Sequence, residues 1–164
     1  MKNIFLNFGL NNFSSPYKEL ITSSIALLFA MIILIYFDAK TLFLATLLLC
    51  VISIRMINLD IKKNGDTKDI AISKLIGLWF ALSVAPATSI PLKDITLFSN
   101  GFLIQSLGSF ILYIYFYTKQ PSIIGRLKNT MQGGVNIVGS DIIAGFTAGI
   151  SSALIWQIIL NISL

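Results

Sequence analysis

Apolar runs long enough to enter a lipid bilayer alternate along this chain with short polar segments. Leu20 to Phe37 carries no charge and predicts a first membrane helix, since about twenty apolar residues span the hydrocarbon layer. Asp38-Ala39-Lys40 predicts a tight turn. Thr41 to Ile57 predicts a second, slightly short helix, with Arg55 snorkelling to the near interface. Asn58 to Asp69 is the most polar stretch, and its Asn64-Gly65-Asp66 is turn chemistry. Residues 70–90 predict a third helix that Pro86 stops or kinks, so a full crossing is not required of it. Pro91 to Asp94 predicts a turn, and residues 95–117 a fourth helix. That helix ends in Tyr113, Tyr115, Phe116 and Tyr117, aromatics suited either to the headgroup layer or to packing between helices. Lys119 to Gln132 reads as a polar, basic loop, and residues 137–160 as the fifth helix. Residues 1–19 mix apolar and polar positions. Ile4-Phe5-Leu6 is too short an apolar core for a signal peptide, so an interfacial arm that stays on the mature protein is expected. The pattern predicts one all-α domain, a polytopic integral membrane helical bundle of about five helices.

Composition sharpens this. Of 164 residues, 55% are hydrophobic and only 12% charged, about half the charged share of soluble domains. There is no histidine, which removes the usual zinc ligand and the usual base near neutral pH. The single Cys50 sits in an apolar run, makes no internal disulfide and reads as a small hydrophobe. The net charge of +5 points to a basic membrane face rather than to nucleic acid. Ten of the twelve Lys and Arg fall in the arm, the polar region from Arg55 to Lys74, and the basic loop. Five crossings put these on one side, and the positive-inside rule predicts a cytoplasmic N-terminus.

The stretch Gly133 to Gly145 carries the chemistry, because Asp141 is an acid inside a membrane pattern. Such a group is costly and usually faces the bundle interior at a site. The plainer reading places it near a helix N-terminus, where the dipole favours a negative charge. Further on, Gly145, Gly149 and Ser152 share one helix face that allows another helix to approach closely.

Gln132-Gly133-Gly134-Val135-Asn136-Ile137-Val138-Gly139-Ser140-Asp141-Ile142-Ile143-Ala144-Gly145 is similar, without a gap, to the motif H-G-G-x-G-I-x-x-D-D-x-x-A-G of phosphatidylglycerophosphatase A, a family of bacterial membrane phosphatases acting on phosphatidylglycerophosphate. Asp66-Thr67-Lys68-Asp69-Ile70-Ala71-Ile72-Ser73-Lys74-Leu75-Ile76-Gly77 resembles its D-x-x-x-I-V-x-D-E-x-x-G, with Trp79 and Pro86 where that family tends to have them. Gln120-Pro121 resembles the Lys-Pro that follows the family's Arg-x-x-Asp helix, and of its N-terminal Pro-Gly-Thr-x-Gly-Ser loop only Pro16 is recognisable. The charges depart from the pattern. The family's Asp-Glu pair reads Ser73-Lys74, its Asp-Asp pair Ser140-Asp141, its Arg and Asp fall at Ile114 and Tyr117, and its histidine at Gln132. Asp66 and Asp141 are the acids that remain.

The resemblance implies a magnesium-dependent phosphomonoesterase of the bacterial cytoplasmic membrane. Magnesium is held by one or two carboxylates plus phosphate and waters. Asp141 and Asp66 are the metal ligands to expect if the protein is active, and no cofactor is expected if it is not. Lys74, Lys119, Arg126 and Lys128 form a patch suited to binding substrate phosphate. Lys74 stands where an acid is expected and either pairs with Asp141 or snorkels into the headgroups. The leading expectation is therefore a degenerate phosphatase-like protein, a pseudoenzyme of phosphatidylglycerol metabolism. Its partners would be anionic phospholipid headgroups or enzymes of phospholipid synthesis, and nucleic acid is not among them. An active, divergent magnesium-dependent phosphatase is the first alternative. A small transporter or channel component is the second, although Gln105, Ser106, Ser109 and Asp141 make a thin polar pathway and no inverted repeat is visible.

Overall fold

A computed structural model describes residues 15–64, 70–85, 100–119, 125 and 133–162. All the secondary structure in these residues is helical. Five helices follow in order: α1 (Ser15–Tyr36), α2 (Ala39–Asn64), α3 (Ala71–Val84), α4 (Asn100–Lys119) and α5 (Gly134–Ile162).

The boundaries have local causes. α1 begins at Ser15, within the segment read as an arm, because Pro16 fits the first turn of a helix, where its missing N–H costs nothing. Asp38 opens α2 by accepting from the Thr41 backbone N–H at 2.7 Å and from the Thr41 hydroxyl at 2.6 Å. The same two donors hold its carboxyl below the usual carboxylate range. α2 runs on past Ile57 to Asn64, about two turns beyond the apolar run that announced it. α3 is the shortest and stops at Val84, just before Pro86, as the loss of helical backbone ahead of proline requires. Residues 86–99, and with them the expected end of the third helix and start of the fourth, lie outside the described residues.

Contacts fix the topology. Gly77 meets Gly145, and Ala81 meets Gly149, so α3 and α5 run parallel. α4 runs against α5, with Tyr113 beside Gly77, Gly108 beside Ser152 and Gly101 beside Trp156. α2 runs against α3, since the Phe43 and Phe80 rings meet edge to face at 5.4 Å while Ile57 lies beside Gly134 at the start of α5. α1 turns into α2 through two residues and is tied to α3 by the Trp79 indole N–H, which donates to the Ala26 carbonyl at 2.9 Å. The beginnings of α1, α3 and α5 therefore share one end of the bundle with the ends of α2 and α4.

α3 is the central helix, with all but three of its residues buried, and it packs against each of the other four. The interior mixes apolar side chains such as Leu34, Leu78 and Phe102 with many polar ones, and the outside is apolar. Thr22, Thr46, Ser53, Asp60, Ser73, Lys74, Gln105, Ser106, Ser109, Ser140, Asp141 and Ser152 are buried, whereas Leu28, Leu44, Leu48, Val51, Ile111, Leu154 and Ile158 are exposed. In water so apolar an outside would be unfavourable; in lipid it is stable, with small and hydrogen-bonding residues at the helix contacts. α2, α4 and α5 are each long and apolar enough to cross a membrane, and α1 and α3 are shorter apolar helices. The molecule is a helical membrane bundle.

Candidate functional site

The site grows from one crossing. A methyl group on Gly145 would strike the Gly77 carbonyl oxygen, and one on Gly77 would lie 2.5 Å from the Asp141 carbonyl oxygen. α3 and α5 therefore touch backbone to backbone. Because they run parallel, one turn back from this point sets Asp141 of α5 level with Ser73 and Lys74 of α3. Asp141 is 4% exposed and Lys74 3%. Neither reaches solvent, and Lys74 does not snorkel to the surface. α4 closes the third side. The Tyr113 hydroxyl lies 2.8 Å from the position of a Gly77 methyl, and the Lys74 ammonium sits 4.8 Å from the centre of the Tyr117 ring, within cation–π range.

The two serines are occupied by their own helices. Ser73 Oγ donates to the Ile70 carbonyl at 2.9 Å and Ser140 Oγ to the Ile137 carbonyl at 3.0 Å. Both hydroxyls are turned back to the backbone of the helix that carries them. Lys119 is exposed at the end of α4, at the same end of the bundle. Asp66, Arg126 and Lys128 lie outside the described residues. The structure thus brings together Ser73, Lys74, Ser140 and Asp141.

Three features of this end had not been expected. Asp60 is a second buried acid, on the inward stripe of α2 that also carries Leu42, Thr46, Ser53 and Ile57. Its place on that stripe was the available signal. Asn58 accepts from the Gly134 backbone N–H at 2.7 Å and so caps α5 from another helix, while Gly133 takes a positive φ of 86° to enter that helix. Tyr117 faces the buried cation.

Further along α4, Gln105, Ser106 and Ser109 are buried. Ser152 Oγ donates to the Gln105 carbonyl at 3.4 Å, and a pocket of about 70 Å³ lined by Gln105, Gly108, Ser152 and Trp156 opens between α4 and α5. It is otherwise lined by Leu and Ile, so it offers a crevice rather than a polar path.

Among the described residues no three His, Cys, Asp or Glu side chains gather where they can hold a metal; Asp66, the other acid expected as a ligand, lies outside them. Asp141 stands level with Lys74, and the Ser73 and Ser140 hydroxyls donate to their own helices. A hard dication takes oxygen ligands, and an ammonium at the same level works against one.

The sequence model of one family, Phosphatidylglycerophosphatase A, matches residues 6–156, nearly the whole chain. No curated protein and no solved structure matches it.

Proposed function

Since the chain belongs to the phosphatidylglycerophosphatase A family, we propose that it serves glycerophospholipid metabolism as a catalytically degenerate member, binding anionic phospholipid headgroups rather than hydrolysing them. The observation that carries this reading is Lys74, buried at the place of a motif acid and level with Asp141. Metal-assisted phosphoryl transfer needs a cation held by carboxylates and an oriented nucleophile. Here Lys74 brings an amine in place of a carboxylate, while Ser73 and Ser140 donate to their own helices.

The same end of the bundle supports binding. Lys62 and Lys119 lie at the ends of α2 and α4, joined in sequence to Arg126 and Lys128. Placed at the cytoplasmic face by the positive-inside rule, in a bacterial inner membrane, these cations attract anionic headgroups at about 1 kcal/mol each. Enzymes of phospholipid synthesis are the protein partners this location favours.

The test is phosphate release from phosphatidylglycerophosphate by the purified protein in mixed micelles, with and without magnesium, beside Asp141→Asn. Vesicle co-flotation of the same preparation is measured in parallel. The expected result is no turnover, with binding to anionic vesicles weakened when Lys119, Arg126 and Lys128 are all changed to Gln. Magnesium-dependent turnover that disappears in Asp141→Asn would overturn the reading and establish the active alternative.

A further inference from the structure

We infer that Lys74 and Asp141 form an internal charge pair that fills the place of a divalent cation, and that Lys74 keeps such a cation out. The inference takes the nature of the displaced cation from the family reading and is independent of whether the basic end binds lipid.

Both charges are more than nine-tenths buried. In a low-dielectric interior a charge persists only with a partner of opposite sign. The Gly77–Gly145 contact brings α3 and α5 as close as two helices can come, and the parallel register sets position 74 level with position 141. Lys74 also has a second favourable surface, since the Tyr117 ring lies 4.8 Å from its ammonium and presents its negative face to a cation. Tyr113 and Tyr117 follow one another along α4 with ring centres 6.1 Å apart. The arrangement holds a monovalent organic cation in a pocket with an acid on one side and an aromatic face on another. Replacing Lys74 by an acid would set two carboxylates level with each other, a set that suits a divalent cation.

The experiment uses the full chain in detergent. Folded, monodisperse yield and thermal midpoint are measured for Lys74→Met, Asp141→Asn, the double variant and the charge-swapped pair Lys74→Asp with Asp141→Lys. Each single variant is expected to lose about tenfold or more in folded yield, as breaking a buried pair does. The double and the swap should each be milder than either single. Single effects that simply add would overturn the pairing. Lys74→Glu tests the other half. Its midpoint is expected to rise by several degrees on adding manganese or magnesium and to fall in chelator, as binding to the folded state dictates, while wild type shows no response. A Lys74→Glu protein that folds without any cation response, or a wild-type protein that is stabilised by either metal, would overturn the claim that lysine occupies the cation's place. Absence of phosphatase turnover is compatible with either result, so failure of the pair and failure of the binding role are read separately.

Discussion

Replacing glycines of α5 by alanine gives a graded test of the crossing on which the site depends. A methyl on Gly139 meets nothing within 4 Å, so Gly139→Ala reports only the helix preference of alanine, a gain of about 0.5–1 kcal/mol. A methyl on Gly149 would lie 2.7 Å from the Ala81 carbonyl oxygen and 3.1 Å from Val84 Cβ. Relief needs a displacement of a few tenths of an ångström. Against the propensity gain stands overpacking of about 1–3 kcal/mol, so Gly149→Ala should cost about 1–2 kcal/mol net. At Gly145 the methyl would strike Gly77 itself: its carbonyl oxygen, its carbonyl carbon at 2.8 Å and its Cα at 3.2 Å. No side chain can swing aside, and α3 cannot retreat because α1, α2 and α4 hold it from the other sides. Gly145→Ala should therefore reach or exceed the top of the overpacking range, about 3 kcal/mol, and it also draws Lys74 away from Asp141. The assay is the thermal midpoint in a single detergent, followed by Trp79 and Trp156 fluorescence. The expected order is Gly139→Ala at or above wild type, then Gly149→Ala, then Gly145→Ala. A Gly145→Ala midpoint equal to that of Gly139→Ala would refute the backbone contact and the placement of the site built on it.

Other expectations follow from single contacts. Asn58→Ala removes the acceptor that caps α5 at Gly134 and should cost about 1 kcal/mol of stability, measured as a lower midpoint, whereas Asn58→Asp should keep the cap. Trp79→Phe keeps an aromatic ring but loses the bond to the Ala26 carbonyl, which keeps its own helix bond, so the cost is that of one net hydrogen bond, about 0.5–1.5 kcal/mol; the same melts read it. Asp38 is fully exposed, and its Thr41 bonds lower its pKa in the folded chain. The stabilisation is therefore complete above the unfolded value, near pH 4, and is lost as pH falls through the lower folded value. Midpoints between pH 6 and pH 3 should show a decline that Asp38→Asn flattens.

The bundle itself was legible because membrane helices announce themselves by uncharged length. Leu20 to Phe37 and Thr41 to Ile57 needed no tertiary knowledge. The inward faces were legible only in part. Gly145, Gly149 and Ser152 were visible as a small-residue face, and α3 and α4 indeed press against it. The sequence does not show that Gly145 meets Gly77, since that contact joins residues 68 positions apart. Asp60 was hidden among Asn58, Lys62 and Lys63, which made the stretch look like a linker; it is the continuation of the Ser53–Ile57 stripe of α2. Tyr117 read as a span-end aromatic, and only the packing of α4 against α3 sets it against Lys74. The balance of acids and cations around Asp66, Arg126 and Lys128 lies outside the described residues.

The survival of Asp141 beside Lys74 has a physical reading that does not require catalysis. Changing an acid to lysine inside a bundle moves the local charge by two units. Buried charges are tolerated in a membrane interior only when paired, and Asp141 is the acid that stands level with Lys74 on the facing helix. Asp141 is 4% exposed and Lys74 3%. The fold can thus keep Asp141 for the sake of Lys74, while the contacts at Gly77, Gly145 and Gly149 hold α3 against α5. A degenerate member is then expected to preserve its backbone framework and the charge neutrality of its core together, and to lose first the hydroxyl, acid and imidazole groups whose only task was to act on phosphate.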